Sequence, residues 1–209
     1  EYWTNIRIAR LDKWARGLPL KVLDLCTGSG CIGLAIAHHF PASFVDAIDI
    51  SEQALTLCKE NARRNNITNI NCISSGLYQA LPIQQAYDLI VANPPYISQE
   101  EFCELEPSVR LWEDPQALVA EQQGLAIIRE IIDKAPLFLR NRYSIPQLWI
   151  EIGYKQGPAV STIFKDRGFS NIEILNDATS NNRVIIGYGY TKATLDTKVT
   201  ETVNNYRIP

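Results

Sequence analysis

The segment that most constrains this chain is Lys21-Val22-Leu23-Asp24-Leu25-Cys26-Thr27-Gly28-Ser29-Gly30-Cys31-Ile32-Gly33, an apolar run that halts at glycines and resumes at helical spacing. Its first part reads as a buried strand and its last part as a helix. The glycines between permit a tight turn and close approach of backbone to a ligand. Strand, G-x-G-x-x-G loop and helix in that order open an α/β sheet that holds a nucleotide-like molecule at the loop. The remaining pattern agrees. Strand-like runs at 44–49, 69–73, 87–92, 147–152, 172–175 and 183–188 alternate with helical patterns at 31–40, 51–65, 118–139 and 157–167, which predicts a doubly wound parallel sheet. Ser51 is placed to cap the second of these helices, with Glu52 in its first turn.

Tyr2, Trp3, Ile6, Ile8, Leu11 and Trp14 recur at roughly helical spacing, so residues 1–20 are expected to form an amphipathic helix packed on the sheet. The acidic, proline-containing stretch 97–116 reads as a long loop, and such loops inside compact domains are usually functional. Residues 191–209 are polar and aperiodic and read as a flexible C-terminal tail. One catalytic domain over 1–190 is the expected organisation.

At 209 residues, with 46% hydrophobic and 21% charged, the chain can bury one sizeable core. A net charge of -3 lacks the basic footprint of a duplex-wrapping protein. The five cysteines are odd in number and form no C-x-x-C pair, which points to a reducing compartment. The two histidines, His38 and His39, are adjacent, so no metal site is expected. No run reaches the ~20 apolar residues of a membrane helix. There is no Met, and the start at Glu1-Tyr2-Trp3 reads as a processed N-terminus.

Two cofactor classes fit the glycine loop and Asp49, whose carboxylate can accept both hydroxyls of a ribose: a nicotinamide dinucleotide and S-adenosylmethionine. Three details favour the second. The strand before the loop carries an acidic residue, Asp24. No His, Lys or Tyr constellation suited to carbonyl protonation stands out. Finally, Asn93-Pro94-Pro95-Tyr96 follows the apolar run 87–92, and hydride transfer has no use for it. The two prolines fix φ on consecutive residues, and Pro94 restricts Asn93 to extended backbone. The Asn93 side-chain oxygen and the Pro94 carbonyl are thereby pre-positioned to hold the two hydrogens of a planar NH2 group, with Tyr96 against its π face. Such a nitrogen is a poor nucleophile until its lone pair is aimed at an electrophile, and orientation of this kind lowers a barrier by several kcal/mol. Sulfonium methyl transfer needs neither a metal nor a strong base. The plainer alternatives are a rigid exit turn at 93–96, a Gly33 that only permits helix–sheet packing, and an Asp24 that serves its own loop.

With Asp24 to Gly30, Ala47-Ile48-Asp49-Ile50-Ser51 and Asn93-Pro94-Pro95-Tyr96-Ile97, the chain resembles the family that methylates the Gly-Gly-Gln motif of peptide-chain release factors. Further matches are the run from Glu113 through Asp114 and Pro115 to Ala120, then Glu151-Ile152-Gly153 with Gln156, and Asn182-Arg183-Val184. The resemblance covers roughly residues 20–190. It implies a Rossmann-like class I S-adenosylmethionine-dependent methyltransferase, with a seven-stranded, mostly parallel sheet whose last strand is antiparallel. It also implies methyl transfer to a glutamine side-chain amide, with S-adenosylhomocysteine as product. Asp24, Thr27, Gly28, Ser29, Gly30, Asp49, Ile50, Gly76, Leu77 and Asn93 are then the expected cofactor contacts. Asn93, Pro94 and Tyr96 are the expected catalytic residues, and Pro95 joins them in holding the substrate.

Family members usually carry an N-terminal helical domain, and Glu1 aligns just inside the start of the catalytic domain. The start is more like mitochondrial members, so a matrix protein is expected, with the cytoplasm as alternative. A monomer that meets nucleic acid only indirectly is the expected state. One departure stands out: Ser74-Ser75-Gly76-Leu77-Tyr78 has Gly76 where the family often has an acidic residue near the adenine. Backbone near Gly76 and apolar contact from Leu77 would then bind the base, which predicts weaker cofactor affinity.

Three other functions fit parts of this pattern. Adenine methylation of RNA or DNA uses the same clamp, but needs a basic groove, and Glu100, Glu101, Glu104 and Glu106 are acidic. Glutamine methylation of a large-subunit ribosomal protein matches the glycine loop as well. A cofactor-binding scaffold subunit is the non-enzymatic alternative.

Overall fold

In the computed structural model the described residues are 2–15, 17–84, 86–110, 114–140 and 146–190, with the side chains of 2–7, 109 and 116 set aside. The expected tail at 191–209 and Glu113 of the resemblance lie outside them.

Seven strands form one sheet in the order β3-β2-β1-β4-β5-β7-β6. They are β1 (Lys21–Leu25), β2 (Phe44–Asp49), β3 (Ile70–Ser74), β4 (Leu89–Ala92), β5 (Leu148–Glu151), β6 (Phe169–Asn176) and β7 (Asn182–Tyr190). All neighbouring pairs from β3 to β5 are parallel, and β7 runs antiparallel to both β5 and β6. The fold is therefore the Rossmann-like class I methyltransferase arrangement, mostly parallel with its last strand reversed.

The apolar runs of β1, β4 and β5 lack a polar alternation because both faces are covered. Leu23, Leu25, Ile90, Ala92, Leu148, Ile150 and Ile185 face one core, which is closed by Ile128, Ile131 and Ile132 of α8 (Ala126–Lys134) and by Val160 and Ile163 of α9 (Gly157–Asp166). The intervening Val22, Leu89, Val91, Trp149, Val184 and Ile186 face the other. That second core is closed by α1 (Tyr2–Ala15) and α2 (Cys31–His39), while α3 (Glu52–Arg64) covers its margin through Cys58 and Ala62. Burying each such Leu, Ile or Val contributes about 1.5–3 kcal/mol. Leu11 and Ala15 are buried, and the Trp14 ring meets Trp149 edge-on at 5.8 Å, so α1 packs on the sheet as its spacing predicts.

One expected element differs, and another is more finely divided than its pattern shows. The stretch 97–116 is not loop throughout: it holds α4 (Gln99–Glu104), α5 (Pro107–Arg110) and the start of α6 (Pro115–Leu118). The stretch 118–139 is mostly helix, as expected, but in pieces: the end of α6, then α7 (Glu121–Gly124), α8 and a 3-10 turn at Ala135–Leu137. The break is backbone: Gln122 (φ 55), Gln123 (φ 59) and Gly124 (φ 78) are consecutively left-handed, which no right-handed helix accommodates. Among the described residues no helix is long and apolar enough to cross a membrane.

Candidate active site

The chain leaves β1 for β2 and β3 on one side and returns to β4 on the other, so a crevice opens at the carboxyl ends of β1 and β4. Open α/β sheets bind ligands at that reversal. A cavity of about 470 Å³ lies there, within the range of small-molecule sites. Its wall includes Cys26 to Ser29 after β1, Ile48 to Ile50 at β2, Ser75 to Leu77 after β3, and Asn93 with Pro95 after β4.

The glycine loop is shaped by two carboxylates. Asp24 is fully buried behind the loop; its Oδ2 accepts the Thr27 hydroxyl at 2.6 Å and the Gly33 N–H at 2.8 Å. It lies outside the cavity wall and braces the loop from behind. Asp49 does line the cavity, with Oδ2 accepting the Gly28 N–H at 2.8 Å and Oδ1 accepting the Ser51 N–H at 2.9 Å. Ser51 Oγ in turn accepts from Ala54 and caps α3. Gly30 (φ 88) starts α2, and a Cβ there would stand 2.6 Å from Cys58 Sγ, so no side chain fits; it too lies outside the wall.

Asp49 also decides between ligand classes. The Gly28 N–H that would face a phosphate already donates to its carboxylate. Among the described residues, Asp49 and Glu130 are the charged groups of the wall, and no Lys, Arg or His joins them. Lys134, outside the wall, offsets Glu130 at 2.5 Å. A pyrophosphate would be repelled here, whereas a cationic sulfonium is attracted.

β4 is buried over its whole length and delivers Asn93, itself exposed, into the cavity. Pro94 is buried beneath it, and neither Pro94 nor Tyr96 lines the cavity. Instead Tyr96 is tied from behind. Its hydroxyl accepts from Arg183 Nη1 at 3.2 Å and lies 3.5 Å from Glu151 Oε1, while Arg183 pairs with Asp177 at 3.2 Å. Burial, with the Glu151 carboxylate adding to it and Arg183 opposing, holds the Tyr96 phenol above its ordinary pKa, so it stays neutral. The Tyr96 carbonyl accepts Gln156 Nε2 at 2.8 Å, and the same amide donates to Gln123 O at 3.2 Å while its oxygen accepts the Gly153 N–H at 2.9 Å. The left-handed turn of α7 presses its glycine on the same carbonyl: a Cβ on Gly124 would collide with Tyr96 O. Beyond the clamp, Ile97 exchanges backbone bonds with Leu118 and Ala120. Glu101 closes a capping box with Ser98.

The structure also supplies wall residues beyond the expected contacts: Cys26, Cys31, Ile32, Gln79, Ala117, Ile127 and Glu130. Cys26 adjoins the loop and could have been drawn from it; Ile127 and Glu130 arrive from α8 on the far side of the sheet, where no local signal exists. Burial first, then Asp49, Asp24 and Glu130, pushes the Cys26 thiol up to about 12, so it is an inert wall group.

Comparison with known proteins follows this geometry. The model of the methyltransferase small domain family matches residues 4–109. A protein of Fusobacterium nucleatum named release factor glutamine methyltransferase is 41% identical over 172 residues, 82% of this chain and 48% of that protein. The chain thus spans about half the length of that relative. Among solved structures, a ribosomal protein L11 methylase from Lactobacillus delbrueckii superposes with a TM-score of 0.60 at 23% identity, over 90% of this chain and 78% of that one. The N-terminal domain of human METTL16 in complex with SAH gives 0.60 at 17%, over 91% and 68%. Both structural likenesses concern the fold. This chain belongs to the methyltransferase small domain family, with a sequence like that of the release factor glutamine methyltransferases.

Proposed function

We propose that this chain transfers the methyl group of S-adenosylmethionine to the side-chain amide nitrogen of the glutamine in the Gly-Gly-Gln segment of a peptide-chain release factor. The observation that carries the reading is Asn93, at the end of a strand buried on both faces and in one cavity with the glycine loop and Asp49. The name of the 41% identical relative supports the substrate.

The wall fits the cofactor. Thr27, Gly28 and Ser29 would hold its methionine portion. Asp49 would take the ribose hydroxyls on the lone pairs left after Gly28 and Ser51 are served. Ile50, Gly76 and Leu77 stand at the base. When bound, S-adenosylmethionine supplies an electrophilic methyl carbon and leaves as a neutral thioether. On the substrate side, Asn93 Oδ1 and the Pro94 carbonyl would accept the two amide hydrogens and so orient the nitrogen lone pair. The acceptor holding the amide hydrogen that turns acidic on methylation would steady it until it is lost to solvent. Among the described residues the wall holds no His or Lys base, and the chemistry needs none. Apolar Ile32, Ile48, Leu77, Pro95 and Ile127 exclude water and strengthen the electrostatics inside.

Exposed Glu100, Glu104 and Glu106 follow the clamp. Their charge suits a basic protein surface and repels nucleic-acid phosphates, which favours the release factor over an adenine in RNA or DNA. The mitochondrial setting belongs to the same proposal, and organelle fractionation checks it. The deciding experiment incubates the protein with methyl-labelled cofactor and release factor, ribosomal protein, RNA or DNA. Mass spectrometry locating one added methyl group on the glutamine supports the reading. Label on adenine with none on the peptide overturns it.

A further inference from the structure

The end of the cavity beneath β3 has an unusual wall. Gly76 contributes no side chain, and its carbonyl accepts the Gln79 N–H at 3.2 Å, closing a turn in which Leu77 is left-handed (φ 52). Ser75 Oγ fastens the turn by accepting the Ala80 N–H at 2.9 Å. This folds the Gln79 side chain back over Gly76. A Cβ on Gly76 would stand 3.0 Å from Gln79 Oε1 and 3.4 Å from its Nε2, so the amide occupies the space that a side chain at position 76 would take. Gln79 lines the cavity together with Ser75, Gly76 and Leu77.

The sheet order says which part of the ligand falls there. The acceptor clamp stands at β4, the glycine loop at β1 and the ribose carboxylate at β2, in adjacent positions across the sheet. An extended nucleoside that presents its methyl group at β4 therefore places its base beyond Asp49, at the β3 end. We infer that Gln79 reads this base, its Oε1 accepting from the 6-amino group and its Nε2 donating to a neighbouring ring nitrogen. A primary amide matches the donor–acceptor edge of adenine in this two-bond fashion. The neutral amide thus does the recognition at a position where Gly76 offers backbone only. The inference rests on the cofactor reading above.

Calorimetry tests it with S-adenosylhomocysteine and its analogue lacking the 6-amino group, titrated into the wild type, Gln79→Ala and Gly76→Ala. Losing one net hydrogen bond corresponds to roughly three- to tenfold in affinity. The wild type is expected to prefer the amino ligand by about that factor. Gln79→Ala is expected to bind both ligands alike. Gly76→Ala, whose methyl group displaces the amide, is expected to lose the preference as well. Gln79 is exposed, so melting temperatures are expected to stay level. An undiminished preference in Gln79→Ala overturns the inference while leaving the cofactor reading standing. A wild type that binds neither ligand overturns both.

Discussion

Replacing Gln156 by Ala separates the clamp from the cofactor site more sharply than any change within the cavity. The substitution removes three hydrogen bonds: to Tyr96 O at 2.8 Å, to Gln123 O at 3.2 Å and from Gly153 N at 2.9 Å. At about 1 kcal/mol net for each bond, the cost approaches 3 kcal/mol, shared between global stability and local slack at Tyr96. For a domain of this size that lowers the melting temperature by about 6–12 °C. The slack falls two residues after the Pro94 carbonyl, and misplacing a positioning group by ~1 Å costs about 10²-fold in rate. We expect kcat to fall between ten- and a hundredfold, by the same principle. The dissociation constant for S-adenosylhomocysteine should stay within about twofold, because no Gln156 bond reaches the glycine loop or Asp49. Gln156→Glu discriminates further: it keeps an acceptor for Gly153 but turns oxygen towards two carbonyls, so its rate should be lower still. Single-turnover methyl transfer, calorimetry and thermal melts supply the three numbers. A variant with a lowered melting temperature and a normal rate would show Gln156 to be merely structural. Equal losses in rate and in cofactor affinity would sink the separation itself.

Asn93→Ala should reduce turnover by roughly 10²–10³, by analogy with losing one preorganised electrostatic contact, while S-adenosylhomocysteine still binds; near-normal turnover refutes the clamp. Asp49→Ala removes a charged acceptor that also orders the Gly28 N–H, so affinity for the cofactor should fall roughly ten- to a hundredfold in calorimetry. Gly124→Ala places a methyl group against Tyr96 O at a left-handed backbone position, and it should destabilise by more than about 1 kcal/mol in denaturant melts and slow transfer. The pH behaviour of Cys26 follows from its burial. Its thiol pKa is raised to about 12, so the thiolate is scarce at lower pH and appears only as pH climbs towards that value. Alkylation followed by mass spectrometry at neutral pH should therefore mark exposed Cys31 and Cys103 and spare Cys26; rapid modification of Cys26 contradicts the assigned environment.

Much of this architecture can be read from local pattern. Runs such as Leu89-Ile90-Val91-Ala92 are apolar without alternation because each face meets its own core, and that property is visible in one dimension. Asn93 was legible for a related reason: it is the first polar residue after such a run, so the strand itself carries it to the carboxyl edge, and Asp49 likewise closes β2 after Ala47 and Ile48. The break at Gln122 and Gln123 was not legible. Glutamine gives no warning of a left-handed backbone, and the turn's neighbours, Tyr96 and Gln156, come from other parts of the chain. Glu130 and Ile127 escaped for the same reason, since α8 reaches the cavity only through packing. Asp24 and Tyr96 show the converse limit. Motif spacing brings a residue to the neighbourhood, but the orientation of its side chain depends on partners such as Gly33 and Arg183 that spacing does not encode.

β3 borders the sheet with its residues half-buried or exposed, whereas β4 lies inside it with every residue buried. A ligand lying across these strands would meet an exposed margin at one end and a buried centre at the other. On the proposed reading, the base would lie against that margin, and the two amide acceptors would be held by the buried centre.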